Sequence, residues 1–170
     1  GREPHAVKAF APSVVAVNEA VVISVRTEDR YYNRASGPIP KYEVSLNGSP
    51  HSTIPAGENA LTLLSDLRFD TPGVYRFQFR SPDGTITGSS NPIWVQEDPE
   101  QRIYWGETHG HGGFAEGQGS QDWFFRFGRE DARLDFLSYT EHDLWMDDGE
   151  WKLMGDAVKK YHEEKEFVVF

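Results

Sequence analysis

The sequence predicts two units: an immunoglobulin-like β-sandwich over residues 1–98, and a β-α-β-α-β unit with parallel strands over residues 99–170. Three observations lead to this fold class. Short alternating or β-branched segments punctuated by proline fill the first hundred residues. A polar connector, "QEDPEQ" (96–101), follows them. Beyond it, apolar strand candidates alternate with amphipathic helix candidates, which favours parallel strands joined by helical crossovers.

The strand candidates of the first unit carry clear turn signals. Asn47-Gly48 and Asp83-Gly84 are typical of tight hairpin turns. Alternation in "GVYRFQF" (73–79) predicts one strand with a buried aromatic face, Tyr75, Phe77 and Phe79. The main strand candidates are "AVVISVRT" (20–27), "YEVSLNG" (42–48), "GVYRFQF" (73–79) and the return strand after the turn in "SPDGTITG" (81–88).

The second unit alternates three strands with two helices. Ser120 is a candidate N-cap, and the spacing of Asp147 and Glu150 is typical of a capping box. Helical spacing predicts that Trp123, Phe124, Phe127 and Trp151 belong to the core. The predicted elements are strands near 102–108, 134–140 and 166–170, and helices over 120–131 and 147–164.

Composition excludes several classes of function. A net charge of −10 disfavours binding to the phosphate backbone of nucleic acids. No apolar run approaches the ~20 residues that a membrane-spanning helix needs. The chain has no cysteine, so any metal must be held by His, Asp or Glu. The lack of cysteine leaves the cellular compartment open.

Three histidines follow two of the predicted strands. His109 and His111 end the first strand and are one residue apart, so their side chains should emerge on one face. His142 ends the second strand. Because the carboxyl ends of parallel strands meet at one edge of a sheet, we expect the three imidazoles to lie close together. Glu107 precedes them on the same face and either binds metal or orients a histidine.

These residues also carry a family resemblance. "IYWGETHGHGGFAEG" (103–117) resembles the first motif of the PHP superfamily of metal-dependent phosphoesterases, and "LDFLSYTEHD" (134–143) resembles the second. "SNPI" (90–93) before "YWGETH" (104–109) is similar to a bacterial PHP subgroup with an N-terminal sandwich. The resemblance implies that His109, His111, Glu116 and His142 bind metal. Glu107 and Glu141, longer than the usual aspartates, would support these ligands.

The resemblance implies that residues 99–170 are the first β-α-β-α-β part of an incomplete PHP-type (β/α) barrel. It also implies a hydrolase with two or three divalent ions of zinc, manganese or iron. His109 and His111 would hold one ion, and Glu116 and His142 its neighbour. Metal-activated hydroxide would attack a small phosphoester, or an ester or carbamate. The alternative is a non-catalytic module whose sandwich binds carbohydrate or protein.

The sequence ends on a strand, which predicts that it is the first part of a longer protein whose remaining ligands lie further on. By itself this part is expected to be inactive and to bind metal weakly. Uncovered faces of Trp105, Phe136 and Phe167 are expected to drive homodimerisation or segment exchange.

Overall fold

The computed structural model describes residues 2–170 and divides into two compact units. The N-terminal unit extends to Ile103 and the C-terminal unit runs from Tyr104 to Phe170. The sequence placed this boundary a few residues earlier, between 98 and 99. No helix in the described residues is long and apolar enough to span a membrane.

The N-terminal unit is a β-sandwich, as the sequence predicted. Its described residues form ten short strands. Its sheets have the strand orders β1-β3-β6, β5-β4-β8-β9 and β2-β10-β7, and residues of all three contribute to one core. The strands are β1 (Ala6–Phe10), β2 (Val14–Ala16), β3 (Val21–Glu28), β4 (Tyr42–Leu46), β5 (Ser49–Ile54), β6 (Leu61–Leu67), β7 (Gly73–Tyr75), β8 (Phe77–Arg80), β9 (Thr87–Ser89) and β10 (Ile93–Gln96).

Turn chemistry and side-chain hydrogen bonds fix how these strands meet. Asn47 and Gly48 both have positive φ, 50° and 83°, which suits the two-residue hairpin between β4 and β5. Within "SNPI", the Asn91 side chain accepts a hydrogen bond from the Ala11 N–H and donates one to the Ala11 carbonyl, both at 2.9 Å. Asn91 therefore ties the start of β10 to the chain before β2.

The segment 73–79 forms two strands, so the prediction of one continuous strand was wrong. β7 pairs with β10, whereas β8 pairs with β4 in another sheet. The chain changes sheet at Arg76, whose N–H donates to the Asn47 side chain and whose carbonyl accepts from the Asn47 N–H. Phe77 and Phe79 are buried as expected, and Tyr75 is half-buried.

The C-terminal unit contains a small parallel sheet flanked by helices. Its strands pair in the order β11 (Gly106–Glu107), β12 (Phe136–Leu137) and β13 (Val168–Val169), and both pairings are parallel, which confirms that prediction. The strands are shorter than expected. The helices are α1 (Gln121–Arg126), a π-helical turn (Phe127–Asp131), a 3₁₀ turn (Asp143–Trp145) and α2 (Asp148–Tyr161).

Both predicted helix starts are confirmed. Ser120 caps α1 by accepting from the Trp123 N–H, and Asp147 and Glu150 form a reciprocal capping box on α2.

The predicted core face of the helices was partly wrong. Trp123, Phe127 and Trp151 are exposed, and Phe124 is partly buried. Phe125 is fully buried and packs on Tyr161 at 5.2 Å between ring centroids. Phe125 lies on a different side of α1 from Trp123 and Phe127, which share a face four residues apart and stack on each other.

One of the three predicted uncovered aromatic faces was also wrong. Phe167 is buried in the core of the C-terminal unit, whereas Trp105 is exposed and Phe136 is half-buried. Phe136 stacks on Phe170, while its neighbour Leu137 belongs to the core. Adjacent strand residues point to opposite faces of the sheet, so only one face is covered by the helices.

Candidate metal centre

The predicted metal-binding residues lie just beyond the carboxyl ends of β11 and β12. The backbone keeps the two exit loops together after the sheet ends, because the Thr140 N–H donates to the Gly110 carbonyl at 2.9 Å. The Gly110 N–H in turn donates to the Thr140 hydroxyl at 3.1 Å. The loop carrying His109 and His111 is therefore fixed beside the loop carrying His142.

The structure brings four side chains into one group, which we call the His–Glu cluster: His109, His111, Glu116 and His142. The Nε2 atoms of His109 and His111 are 3.0 Å apart. The His111 and His142 rings stack with centroids 4.7 Å apart. His142 Nε2 lies 3.2 Å from Glu116 Oε1.

Three members of the cluster have the geometry to share one ion. His111, Glu116 and His142 each offer a ligand atom, and these atoms lie within 4.8 Å of one another. Zinc–ligand bonds of about 2.0–2.2 Å in a tetrahedral site place ligand atoms roughly 3.3 Å apart. The His142–Glu116 distance of 3.2 Å is already close to this value. If the His111 side chain moved slightly toward these two residues, all three ligand atoms could bind one ion.

The family resemblance implied that His109 and His111 hold one ion and that Glu116 and His142 hold another. The two members of each pair lie within 3.2 Å of each other. His111 also lies close enough to Glu116 and His142 to share an ion with them. Two nitrogens and one carboxylate oxygen are a donor set used by catalytic zinc sites, which keep the fourth position open.

The glycine-rich loop owes its path to two glycines. A Cβ on Gly112 would lie 2.1 Å from the Tyr139 hydroxyl, and a Cβ on Gly117 would lie 2.3 Å from the His111 carbonyl oxygen. A side chain at Gly112 would push the loop away from Tyr139, and one at Gly117 would push it away from His111. The loop that carries Glu116 can therefore fold back against His111 only with glycine at these positions.

The two supporting carboxylates occupy different surroundings. Glu107 is exposed, and its Oε1 accepts a hydrogen bond from the His109 N–H at 2.9 Å. The Glu141 side chain is fully buried, and its Oε1 accepts from the Gly112 N–H at 2.8 Å. Glu107 thus holds the backbone at His109, while Glu141 lies beneath the loop after His111.

Tyr139, which lies beside this buried carboxylate, was not predicted from the sequence. Burial raises the pKa of Tyr139 well above its usual range, and the Glu141 carboxylate raises this pKa further. A signal was present in the sequence. Leu137, Tyr139 and Glu141 alternate along one face of the second strand and its extension, and Leu137 is a core residue.

The chain is similar to uncharacterized proteins of Chlamydia. It is 27% identical over 173 residues to a Chlamydia muridarum protein and 27% identical over 173 residues to a Chlamydia trachomatis protein, covering 95% of this chain in each case. The chain spans 27% of the length of these relatives. No protein-family model matches the chain.

Solved structures resemble the chain over little more than half its length. The solution structure of a CARDB domain from Pyrococcus furiosus has a TM-score of 0.41 and 18% identity, covering 58% of this chain and 100% of that domain. A crystal structure of the same domain, in complex with di-metal ions, has a TM-score of 0.41 and 18% identity over 56% of this chain and 96% of that one. Neither the Chlamydia relatives nor these domains carry a name that denotes a hydrolase.

Proposed function

We propose that the C-terminal unit carries a divalent-metal site belonging to a metal-dependent hydrolase of the PHP type. The observation that supports this most is the convergence of His111, Glu116 and His142, whose ligand atoms lie within 4.8 Å of one another. These residues come from loops that are separated along the chain and aligned by a parallel sheet. The motif resemblance had nominated the same residues independently of their positions in space.

The chemistry of the donor set fits the ions that the resemblance implies. Imidazole nitrogen suits zinc and iron, and carboxylate oxygen suits manganese. No thiolate is available, which agrees with a preference for these ions over the softest metals. His111, Glu116 and His142 would hold one ion, and His109 would extend the set toward a second.

The proposed reaction is hydrolysis of a small phosphoester, or of an ester or carbamate. A bound divalent ion would supply activated water and polarise the scissile group. The residues of this chain would set the position of that ion. The loop glycines would bring Glu116 within reach, and Glu107 would hold the backbone that carries His109.

Metal analysis tests this proposal. The 170-residue chain would be equilibrated by dialysis against an excess of zinc, manganese or ferrous iron, and the metal bound at equilibrium would be measured by mass spectrometry. We expect the wild-type chain to bind at least one equivalent of one of these metals at saturation, with the weak affinity that an incomplete ligand set predicts. A His111→Ala/His142→Ala variant should lose it, whereas His51→Ala, a change of an exposed histidine in the other unit, should retain it.

Two results would reject the metal site. One is a wild-type chain that retains no stoichiometric metal. The other is metal retained equally by the double variant. Retained metal that only His111→Ala/His142→Ala removes would support the site, and turnover of an aryl phosphate by the longest available chain would then test the hydrolase activity.

The second candidate is a non-catalytic module whose β-sandwich binds a carbohydrate or a protein. The N-terminal unit of the structure is such a β-sandwich. A groove of about 770 Å³ lies on the sheet β5-β4-β8-β9. Its lining combines apolar side chains with polar ones, including Ser45 hydrogen-bonded to Gln78 at 3.0 Å and Glu43 opposite Arg80 across two strands. Phe79, the aromatic residue among them, is buried, so the groove favours a protein partner over a stacked sugar ring.

Affinity electrophoresis separates the two versions of this module. Gels containing soluble xylan, starch or mannan would be run with the wild-type chain and with Arg80→Ala. Retardation by a polysaccharide that Arg80→Ala abolishes would establish carbohydrate binding at the groove. No retardation by any of the three, together with no stoichiometric metal, would favour a protein-binding module.

A further inference from the structure

A buried carboxylate lies directly behind one proposed metal ligand. Glu141 has a side chain with no exposed surface, and its Oε1 accepts a hydrogen bond from the Gly112 N–H at 2.8 Å. Gly112 follows His111 in the chain. One oxygen of Glu141 is therefore anchored to the loop that presents His111, which fixes where the second oxygen lies.

The second oxygen faces the histidine ring. Glu141 Oε2 lies 3.8 Å from His111 Nδ1, and both atoms are buried without a hydrogen-bond partner among the described residues. Leaving two buried polar atoms unpaired costs free energy. An approach of about 1 Å would convert this contact into an Nδ1–H···Oε2 hydrogen bond of normal length.

The other nitrogen of the same ring points into the His–Glu cluster. His111 Nε2 lies 3.0 Å from His109 Nε2. In a neutral imidazole one nitrogen carries the proton and the other offers a lone pair. A proton held on Nδ1 by Glu141 therefore leaves the Nε2 lone pair free for a metal.

We propose that Glu141 is the positioning residue of His111, holding its Nδ1–H so that Nε2 is presented as a metal ligand. This inference rests on the proposed metal site. Carboxylates that orient a ligating histidine in this way are common around protein metal centres. Glu107 has a different role, because it is exposed and bonds the His109 backbone.

Tyr139 and Gln121 complete the buried side of this arrangement. The hydroxyl of Tyr139 lies against Gly112 and beside Glu141, and like Gln121 Nε2 it has no hydrogen-bond partner of good geometry within the described chain. Tyr139 is therefore a buried neighbour of the carboxylate that faces His111.

The tautomer of His111 in the metal-free chain is the direct test. Long-range ¹⁵N–¹H spectra would be recorded at about pH 8, above the usual histidine pKa, for the wild type, Glu141→Ala, Glu141→Gln and the matched control Glu107→Gln. His111 should carry its proton on Nδ1 in the wild type and in Glu107→Gln. It should shift toward the Nε2–H form in Glu141→Ala, with an intermediate population in Glu141→Gln.

Zinc affinity gives the second readout. Competition with a chromophoric chelator should show zinc binding roughly 10–100-fold weaker in Glu141→Ala than in the wild type. Near-UV circular dichroism would identify any variant that fails to fold, and Glu141→Gln, which preserves the side-chain shape, would then replace it in the comparison.

The two proposals fail in different ways. An Nε2–H tautomer in the wild type, or a tautomer unchanged in folded Glu141→Ala and Glu141→Gln, would overturn the positioning role even if the chain binds zinc. A chain that binds no metal but shows the Glu141-dependent tautomer would reject the metal site and retain the positioning of His111.

Discussion

Replacing Arg26 with methionine is expected to destabilise the N-terminal unit by about 3–4 kcal/mol. Arg26 and Glu28 lie two residues apart on the same side of β3 and form an ion pair whose side chains are 6% and 0% exposed. Removing one partner of a buried ion pair costs roughly 3–5 kcal/mol, because the remaining charge is left without compensation.

Because Lys8 also lies near Glu28, we expect the loss in Arg26→Met to fall in the lower part of the roughly 3–5 kcal/mol range. The Lys8 Nζ lies 3.7 Å from Glu28 Oε2 and would remain after Arg26 is lost. The Lys8 side chain is 50% exposed, so solvent screens its charge and it recovers at most about 1 kcal/mol. At about 1.4 kcal/mol for each factor of ten, the unfolding equilibrium should shift by more than a hundredfold.

Urea unfolding at about pH 7, followed by far-UV circular dichroism, measures this change. The double variant Arg26→Met/Glu28→Met removes both charges and should lie within about 1 kcal/mol of the wild type, or above it. The control is Glu43→Gln, which changes an exposed strand carboxylate. A loss below about 1 kcal/mol in Arg26→Met, or a double variant as unstable as the single one, would refute the reasoning.

Two further predictions concern stability. Gly88→Ala should lower the free energy of unfolding by about 3 kcal/mol in the same urea assay, because the new Cβ would lie 1.7 Å from the Val7 carbonyl oxygen. The control Gly57→Ala should change this free energy little, because no described atom lies within 4 Å of its Cβ position. Hydrogen bonds from Lys160 and then Tyr161 lower the pKa of Asp122, so its contribution is present above the unfolded pKa of about 3.9 and lost as pH falls below it. The stability difference between wild type and Asp122→Asn should shrink over that acidic range, and a constant difference would contradict it.

Local patterns were sufficient to predict the β-sandwich, the parallel strand order of the C-terminal unit, the helix caps and the nearness of the histidines. Asp147 and Glu150 identified a helix start because a capping box needs only residues three apart. His111 and His142 lie together because the ends of parallel strands coincide. These features depend on neighbours in sequence or on a general rule of sheet topology.

Features that depend on contacts between residues far apart in the chain could not be predicted from local sequence patterns. The break at Arg76 arises from hydrogen bonds to Asn47, about thirty residues away, which no alternation pattern contains. The buried side of α1 is set by Tyr161 and the sheet, so Phe125 was overlooked in favour of Trp123. Glu141 was nominated by its motif, yet its burial beneath Gly112 follows from the loop path alone.

The position of β10 bears on how the N-terminal unit folds during synthesis. β10 is the central strand of its sheet, with β2 on one side and β7 on the other, and it is also the last strand of the unit. Asn91 and Ala11, which tie this sheet together, are 80 residues apart. At about 5–20 residues per second, a ribosome needs roughly 4–16 s to make the intervening chain. Throughout that interval β2 lacks its partner, so the sheet β2-β10-β7 can form only after the rest of the unit has been synthesised.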